Sequence, residues 1–302
     1  MKNIPGNLQC FKISQENSEP ALDDFYIFEK KDPDIKQYIK NTKQIKNYLI
    51  TIRTLLDKKE KREVIDKYFK ELAGDLNKFS NCSEFSGFIN ACDNTLNFAK
   101  HDFVLLKEIA KRYFKNRILN ESVPEEWIQA ILDKNASAKK GACGENKLIR
   151  ILENRGFKKV DRWDDFYKNE KCVARFSKVF GLRAVRKNFK IKINTHKQNK
   201  RLDLVIKDGN KKFLLEAKHL NTTGGAQDKQ LSELIEILGL SEKDKNIFYI
   251  AFLDGNYSNI LLDKEKAKEK FDAQRKDIAK FLNKNSNSYW VNTAGFKALF
   301  YL

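Results

Sequence analysis

The chain has 302 residues, 41% of them hydrophobic and 22 of them phenylalanine, which fits one large folded domain or two modest ones and excludes a disordered protein. Its 59 Lys and Arg against 41 Asp and Glu give a formal charge of +18, which favours a polyanionic partner, nucleic acid before an anionic membrane surface. No run of about eighteen apolar residues exists, so a membrane span is not expected.

The N-terminus, MKNIPGNLQCFK, lacks the apolar core of a signal peptide, and a bacterial cytoplasmic location is expected. Cys10, Cys82, Cys92, Cys143 and Cys172 are odd in number and never form a C-x-x-C pair, so they read as reduced thiols. His101, His196 and His219 are isolated from one another, which argues against a zinc site.

Residues 1 to about 30 carry no strong period, and Phe25, Tyr26 and Phe28 suggest a short strand or an arm. Asp32-Pro33-Asp34 marks a helix start, with proline near the first turn. From there to Leu119 the spacing is helical: Ile45, Leu49, Ile52 and Leu55, then Val64, Tyr68 and Leu72, then Phe88, Cys92 and Leu96, then Leu105, Ile109 and Tyr113. A helical subdomain of about four helices over residues 1–122, acting as a scaffold, is the expectation. Ser122-Val123-Pro124-Glu125-Glu126 punctuates the chain and opens a second domain, 123–302, with a short helix through Trp127 and Ile131.

Glu145 follows the small residues Gly141, Ala142 and Gly144, and precedes Leu148, Ile149 and Leu152 by three, four and seven positions. On a helix it extends the buried stripe, where a carboxylate needs a partner. A first-turn acid that complements the helix dipole fits the same spacing. After Gly156, strand-like material is expected at Phe157–Val160, Val173–Phe180 and Leu182–Ile193. No acidic residue occurs between Lys171 and Leu202, while Arg183, Arg186, Lys187, Lys190, Lys192, Lys197, Lys200 and Arg201 crowd together, preceded and interleaved by Trp163, Tyr167, Phe176, Phe180 and Phe189. A one-sign stretch of this kind reads as a track for a phosphate backbone, and arginine also reads guanine in the major groove.

Arg201 to Lys218 reads RLDLVIKDGNKKFLLEAK, two short strands around a tight turn. With Asp208-Gly209 as the loop, Lys207 pairs with Asn210 and Asp203 lies opposite Leu214. Glu216 is then the diagonal neighbour of Asp203, and Lys218 sits two residues further along the same face. Leu202, Leu204 and Ile206 fall beside Phe213, Leu215 and Ala217 on the other face. A one-residue slip would separate the two acids. Two carboxylates in a small volume repel unless a cation lies between them, and a hard divalent ion with an adjacent ammonium suits phosphoryl chemistry. Glu-x-Lys triplets on solvated faces are the competing explanation in a chain so rich in charge.

Beyond the hairpin, Gly224-Gly225 enters a helix whose first turn carries Gln227 and Gln230, near the end of the second strand. The two glycines lack the Lys-Ser/Thr of a nucleotide loop. NIFYIAFL, residues 246–253, reads as a central strand buried on both faces. A charged helix from Lys264 to about Leu282 and an apolar segment from Tyr289 end the chain.

The order helix with an acid, strands, Asp203, Glu216-Ala217-Lys218, helix, strand resembles the core of the PD-(D/E)xK nucleases, the fold of many type II restriction endonucleases and several repair nucleases. The resemblance covers Glu145 to Leu253 and implies an α+β fold with an α/β core: a mixed sheet flanked by helices, beside the N-terminal helical subdomain. It implies that Asp203 and Glu216 bind Mg²⁺ with help from the Ala217 carbonyl, with Mn²⁺ able to substitute. It also implies that Lys218 orients or activates the attacking water and that Glu145 supports the metal or its waters. Cleavage of double-stranded DNA would leave 5′-phosphates. Leu202 stands where the family pattern has proline, a position that makes no metal contact. A chain of this length without helicase or ATP-binding motifs resembles a stand-alone type II restriction endonuclease. Such an enzyme is commonly a homodimer and has a DNA methyltransferase as functional partner. A structure-selective repair nuclease of the same fold, and a non-catalytic basic nucleic-acid-binding protein, are the two other readings of these residues.

Overall fold

Two periodicities divide the computed structural model, which describes residues 4–28, 30–135, 137–193, 202–222, 224–263 and 269–300. Three- and four-residue spacing dominates the unit Phe28–Ser137, and strands dominate the unit made of Met1–Ile27 and Ala138–Leu302. Helix α1 (Asn7–Glu16) and a 3-10 turn at Asp24–Tyr26 come first. They are followed by α2 (Ile35–Asp57), α3 (Arg62–Asp75), α4 (Glu84–Ala91), α5 (Leu96–His101), α6 (Phe103–Asn116) and α7 (Glu125–Lys134). In this helical unit Ile45, Leu49 and Ile52 of α2 meet Phe69 and Leu72 of α3 and Leu106, Ile109 and Tyr113 of α6. Ser83, Thr95 and Asp102 start α4, α5 and α6 by accepting bonds from first-turn amides.

The second unit continues with α8 (Ser137–Glu153), β1 (Lys158–Lys159), α9 (Trp163–Lys168), β2 (Lys171–Arg175), α10 (Leu182–Phe189), β3 (Leu204–Asp208) and β4 (Lys211–His219). Then come α11 (Gly225–Leu238), β5 (Ile247–Asp254), α12 (Asn256–Leu262), α13 (Glu269–Lys284), β6 (Ser288–Val291) and α14 (Thr293–Leu299). Among the described residues six strands form one mixed sheet in chain order. β1 and β2 are parallel, β2, β3 and β4 antiparallel, and β4, β5 and β6 parallel. One face carries α1, α8 and α14 over Val173, Leu204, Ile206, Phe213, Leu215 and Phe252. The other divides into two clusters. Val205, Leu214 and Tyr249 pack with α9 and α10, and Ala251 and Leu253 pack with α11, α12 and α13. Helices on both faces explain why β5 is buried along its whole length.

Several sequence expectations change. Leu182–Ile193 is not a strand over its length: Leu182–Phe189 is helical, because Val185 and Phe189, four apart, point into the core while Arg183 and Lys187 face out. The N-terminal residues belong with the sheet and not with the helices expected over 1–122. α1 lies so close to α14 that a Cβ on Gly295 would meet Ser14 Oγ at 2.1 Å. At the other boundary, α7 joins the helical unit, where Ile128 packs with Ile35 and Cys82.

The hairpin turns at Gly209-Asn210 and not at Asp208-Gly209, with Asp208 opposite Lys211 and Leu204 opposite Leu215. Gly209 supplies the left-handed φ of +59°. Moving the turn by one residue shifts every pairing by two, and an even shift leaves each strand's faces unchanged. Both faces of β3 are covered, since Val205 and Leu214 are as buried as Leu204 and Leu215. Leu202 packs on the Val205 side, across the sheet from Leu204. The cause is a kink at Asp203.

Candidate active site

At the open end of the hairpin the β3 ladder stops at Leu204. The Asp203 amide still donates to the Leu215 carbonyl at 2.8 Å, so Asp203 and Leu204 both answer to Leu215. That two-against-one count is the mark of a β-bulge, which re-aims a side chain. Here it turns the Asp203 carboxylate toward β4, where Oδ2 accepts from the Ala217 amide at 2.7 Å. Ala217 stands between Glu216 and Lys218. Asp203 therefore reaches the other two through a bond to the backbone between them, and not through the cross-strand diagonal expected from the sequence.

Glu216 and Lys218 project from the same face of β4, two residues apart, and their side chains meet with Nζ 2.6 Å from Oε1. Glu216 is only 2% exposed. Burial drags the Lys218 pKa down, but the charge and hydrogen bond of Glu216, then the charges of Asp203 and Glu233, outweigh it and hold it above the ordinary lysine value. The ammonium thus stays charged at neutral pH in this arrangement. Glu233, on α11, is an acid near Lys218 that the sequence reading missed; only a register for α11 against β4 could have revealed it. Gln227 and Gln230 occupy the same helix, and Gln227 is bonded to Thr222 Oγ1 at 3.2 Å.

Glu145 lies on α8, whose apolar residues pack on the opposite face of the sheet from Leu214. Its carboxylate is taken by Arg175 Nε at 3.3 Å, and Arg175 pairs with Leu204 at the edge of the Asp203 kink. Burial raises the Glu145 pKa and the Arg175 charge pulls it back. Glu145 thus approaches the site at one remove, through Arg175.

Among the basic residues, Arg183 and Lys187 are exposed one helical turn apart on α10, and Lys190 and Lys192 are exposed just after it. Arg186 is engaged internally, donating to the carbonyls of Lys192 at 2.7 Å and Ile193 at 2.8 Å. Glu242 secures the same stretch by accepting from the amides of Lys192 and Ile193. Lys197, Lys200 and Arg201 lie outside the described residues.

A second polar cluster surrounds the exit of β4. His219 follows Lys218 and pairs in register with Asp254 at the end of β5. His219 Nδ1 is 2.9 Å from Asp254 Oδ1, and the Tyr26 hydroxyl donates to Asp254 Oδ2 at 2.8 Å. Lys147 of α8 bonds Asp254 at 2.9 Å and Asp23 at 2.7 Å, and lies 3.6 Å from Glu19. Glu19, Asp23 and Asp254 are close enough together to hold a cation, and the Lys147 ammonium pairs with all three.

Asp203, Glu216 and the Ala217 carbonyl are all oxygen donors, with no sulfur or imidazole among them. Two carboxylates against one ammonium leave a negative excess, the donor set and charge balance that suit Mg²⁺ and not zinc. A family model described as DpnII restriction endonuclease matches residues 128–289, more than half of the chain. The match includes Glu145, Asp203, Glu216 and Lys218 and leaves out α1 to α6. No curated protein and no solved structure matches the chain.

Proposed function

The chain belongs to the DpnII restriction endonuclease family, and from that premise we propose that it is a type II enzyme of PD-(D/E)xK fold that hydrolyses double-stranded DNA at a specific sequence and leaves 5′-phosphates. The observation that carries the reading is the bond from the Ala217 amide to Asp203, which brings both acids and Lys218 to three consecutive residues of β4. Mg²⁺, with Mn²⁺ as a substitute, would be held by Asp203, Glu216 and the Ala217 carbonyl. When bound, it lowers the pKa of water and neutralises charge on the phosphoryl group.

The chain's own residues do the rest. Lys218, kept protonated by its carboxylate neighbours, orients the attacking water and offers positive charge where the phosphorane builds up negative charge. Asp203 is fixed by the Ala217 amide, so its carboxylate needs no reorganisation when substrate arrives. Glu145, paired with Arg175, would support the waters of the metal. Arg183, Lys187, Lys190 and Lys192 would contact DNA phosphates, and Lys197, Lys200, Arg201, Gln227 and Gln230 are further candidates for DNA binding. Arg186 joins them by shaping the loop. A homodimer would cut both strands of a palindrome, and a DNA methyltransferase would protect the host's copies. Acting on DNA, the enzyme would work in the bacterial cytoplasm; among the described residues no helix is long and apolar enough to cross a membrane.

The test is plasmid cleavage with Mg²⁺ and with EDTA. Discrete bands that disappear with EDTA and with Asp203→Ala or Glu216→Ala are expected. Smears or cutting confined to branched DNA would favour a repair nuclease. Binding without cutting under any divalent metal would leave a nucleic-acid-binding protein.

A further inference from the structure

Lys147 is 3% exposed, and a buried ammonium persists only where anions compensate it. Its three partners come from two places: Glu19 and Asp23 from the segment after α1, and Asp254 from the last residue of β5. Each carboxylate has a second task. Glu19 accepts from the amide and hydroxyl of Thr293 at 2.6 and 2.9 Å, fixing the start of α14. Asp23 caps the 3-10 turn at Phe25. Asp254 takes both His219 and Tyr26, and the Tyr26 ring stacks on His219 at 3.6 Å with 15° between planes. The Tyr26 hydroxyl sits over Gly144, where a Cβ would come within 3.0 Å. His219 is held from its other nitrogen by Asn221 at 3.0 Å.

The network thus joins the arm of residues 19–26, α8 and the ends of β4 and β5, and it grips β4 at the residue after Lys218. Resting on the nuclease reading of Glu216 and Lys218, we propose that Glu19, Asp23, Tyr26 and Lys147 are positioning residues that set, through Asp254 and His219, where β4 presents Glu216 and Lys218. The network acts by denying the end of the catalytic strand its freedom, the kind of support whose loss misplaces reacting groups by fractions of an ångström.

Tyr26→Phe removes one hydrogen bond to Asp254 and keeps the ring on His219, so it is the sensitive probe. We expect an unfolding midpoint lowered only by the loss of one hydrogen bond, DNA affinity in Ca²⁺ within about twofold of wild type, and a single-turnover cleavage rate of the folded protein lower by about tenfold, with more Mg²⁺ needed for half the maximal rate. Asp23→Asn should behave alike, and Lys147→Met, which strands two buried carboxylates and a partly buried one, should fall further or fail to fold. Glu16→Gln, on the exposed side of α1, is the control that leaves the rate alone. A Tyr26→Phe protein with wild-type rate and wild-type Mg²⁺ requirement overturns the proposal. If the wild-type chain itself does not cut DNA, the nuclease reading has failed, and amide hydrogen exchange across residues 216–220 decides the positioning role separately. Faster exchange in Tyr26→Phe supports it; unchanged protection overturns it.

Discussion

Replacing Lys218 with methionine tests the site most directly, because the two side chains are similar in length and only the charge is lost. In the folded protein Nζ lies 2.6 Å from an oxygen of Glu216, whose carboxylate is nearly inaccessible to water. Removing one partner of such a pair leaves an uncompensated buried charge, which costs about 3–5 kcal/mol. The Lys218 side chain is 22% exposed, so water enters when the ammonium leaves, and the lower end, about 3 kcal/mol, is expected. Cleavage should fall by about 10³-fold, the loss seen when a preorganised transition-state donor is removed. Mg²⁺ should repair stability but not activity. On the proposed assignment it would bind the carboxylates that remain, and a hundredfold excess over its dissociation constant would add about 2.7 kcal/mol to the folded state.

Urea unfolding followed by Trp290, fully buried in β6, reads the sheet unit. A Trp127→Phe background silences the reporter in the helical unit. Three proteins, wild type, Lys218→Met and Glu216→Ala, each with and without Mg²⁺, then separate the contributions. Lys218→Met should gain at least as much stability from Mg²⁺ as wild type, since no ammonium competes for Glu216. Glu216→Ala should gain little. Wild-type cleavage by Lys218→Met, or full Mg²⁺ stabilisation of Glu216→Ala, would refute the assignment of the ion to this hairpin.

Substituting Arg183 and Lys187 together by alanine should flatten the slope of log K against log salt by about 2 in a fluorescence-anisotropy titration on duplex DNA, close to one per phosphate contact; an unchanged slope removes α10 from the interface. Cys10, Cys82 and Cys172 are buried, with burial pushing their pKa values up to about 12, 11 and 11, so at pH 8 a thiol reagent should label the half-buried Cys92 and Cys143 quickly and the other three only on unfolding. Burial acts to raise the Asp254 pKa, but bonds from His219 and Lys147 overcome it and leave the carboxyl below its ordinary value. Its stabilisation is therefore complete above the unfolded value of about 3.9 and is lost as pH falls through the folded one. Lys147, raised above the ordinary lysine value because its three carboxylates outweigh burial, contributes below about pH 10.4 and loses that contribution as pH rises further. Urea unfolding between pH 2 and 5 should show a shallower acid dependence for Asp254→Asn than for wild type; equal slopes would count against the depressed pKa.

What the sequence made legible follows from the range of the interactions. The hairpin is local, so alternation and a turn glycine predicted Glu216 and Lys218 on one face of β4, and a turn displaced by one residue did no damage because the error was even. The Asp203 bulge could not be read, since it depends on how β3 ends against Leu215 and not on any residue pattern in 201–204. Over Leu182–Phe189 the apolar residues Leu182, Val185 and Phe189 are few enough to suit either period, and packing against Val205 and Leu214 decides for the helix.

The Lys147 network shows where the remaining limit lies. In α8 the residues facing the sheet are Leu148, Ile151 and Leu152, and Gly144 lies under Tyr26. Position 147 is three after 144 and four before 151, so helical periodicity places it on the buried stripe, whereas Glu145 falls toward the side and is only half-buried. A lysine on such a stripe already implies compensating carboxylates, because burying it alone would cost several kcal/mol. The local pattern thus gives the need for partners at 147 more strongly than at 145. It cannot give their identity: Asp23 and Asp254 stand 124 and 107 residues away, and no spacing in the chain announces them. A buried charge read from periodicity is a sound starting point for locating a polar hub, and its partners must be sought where strand ends and chain termini converge.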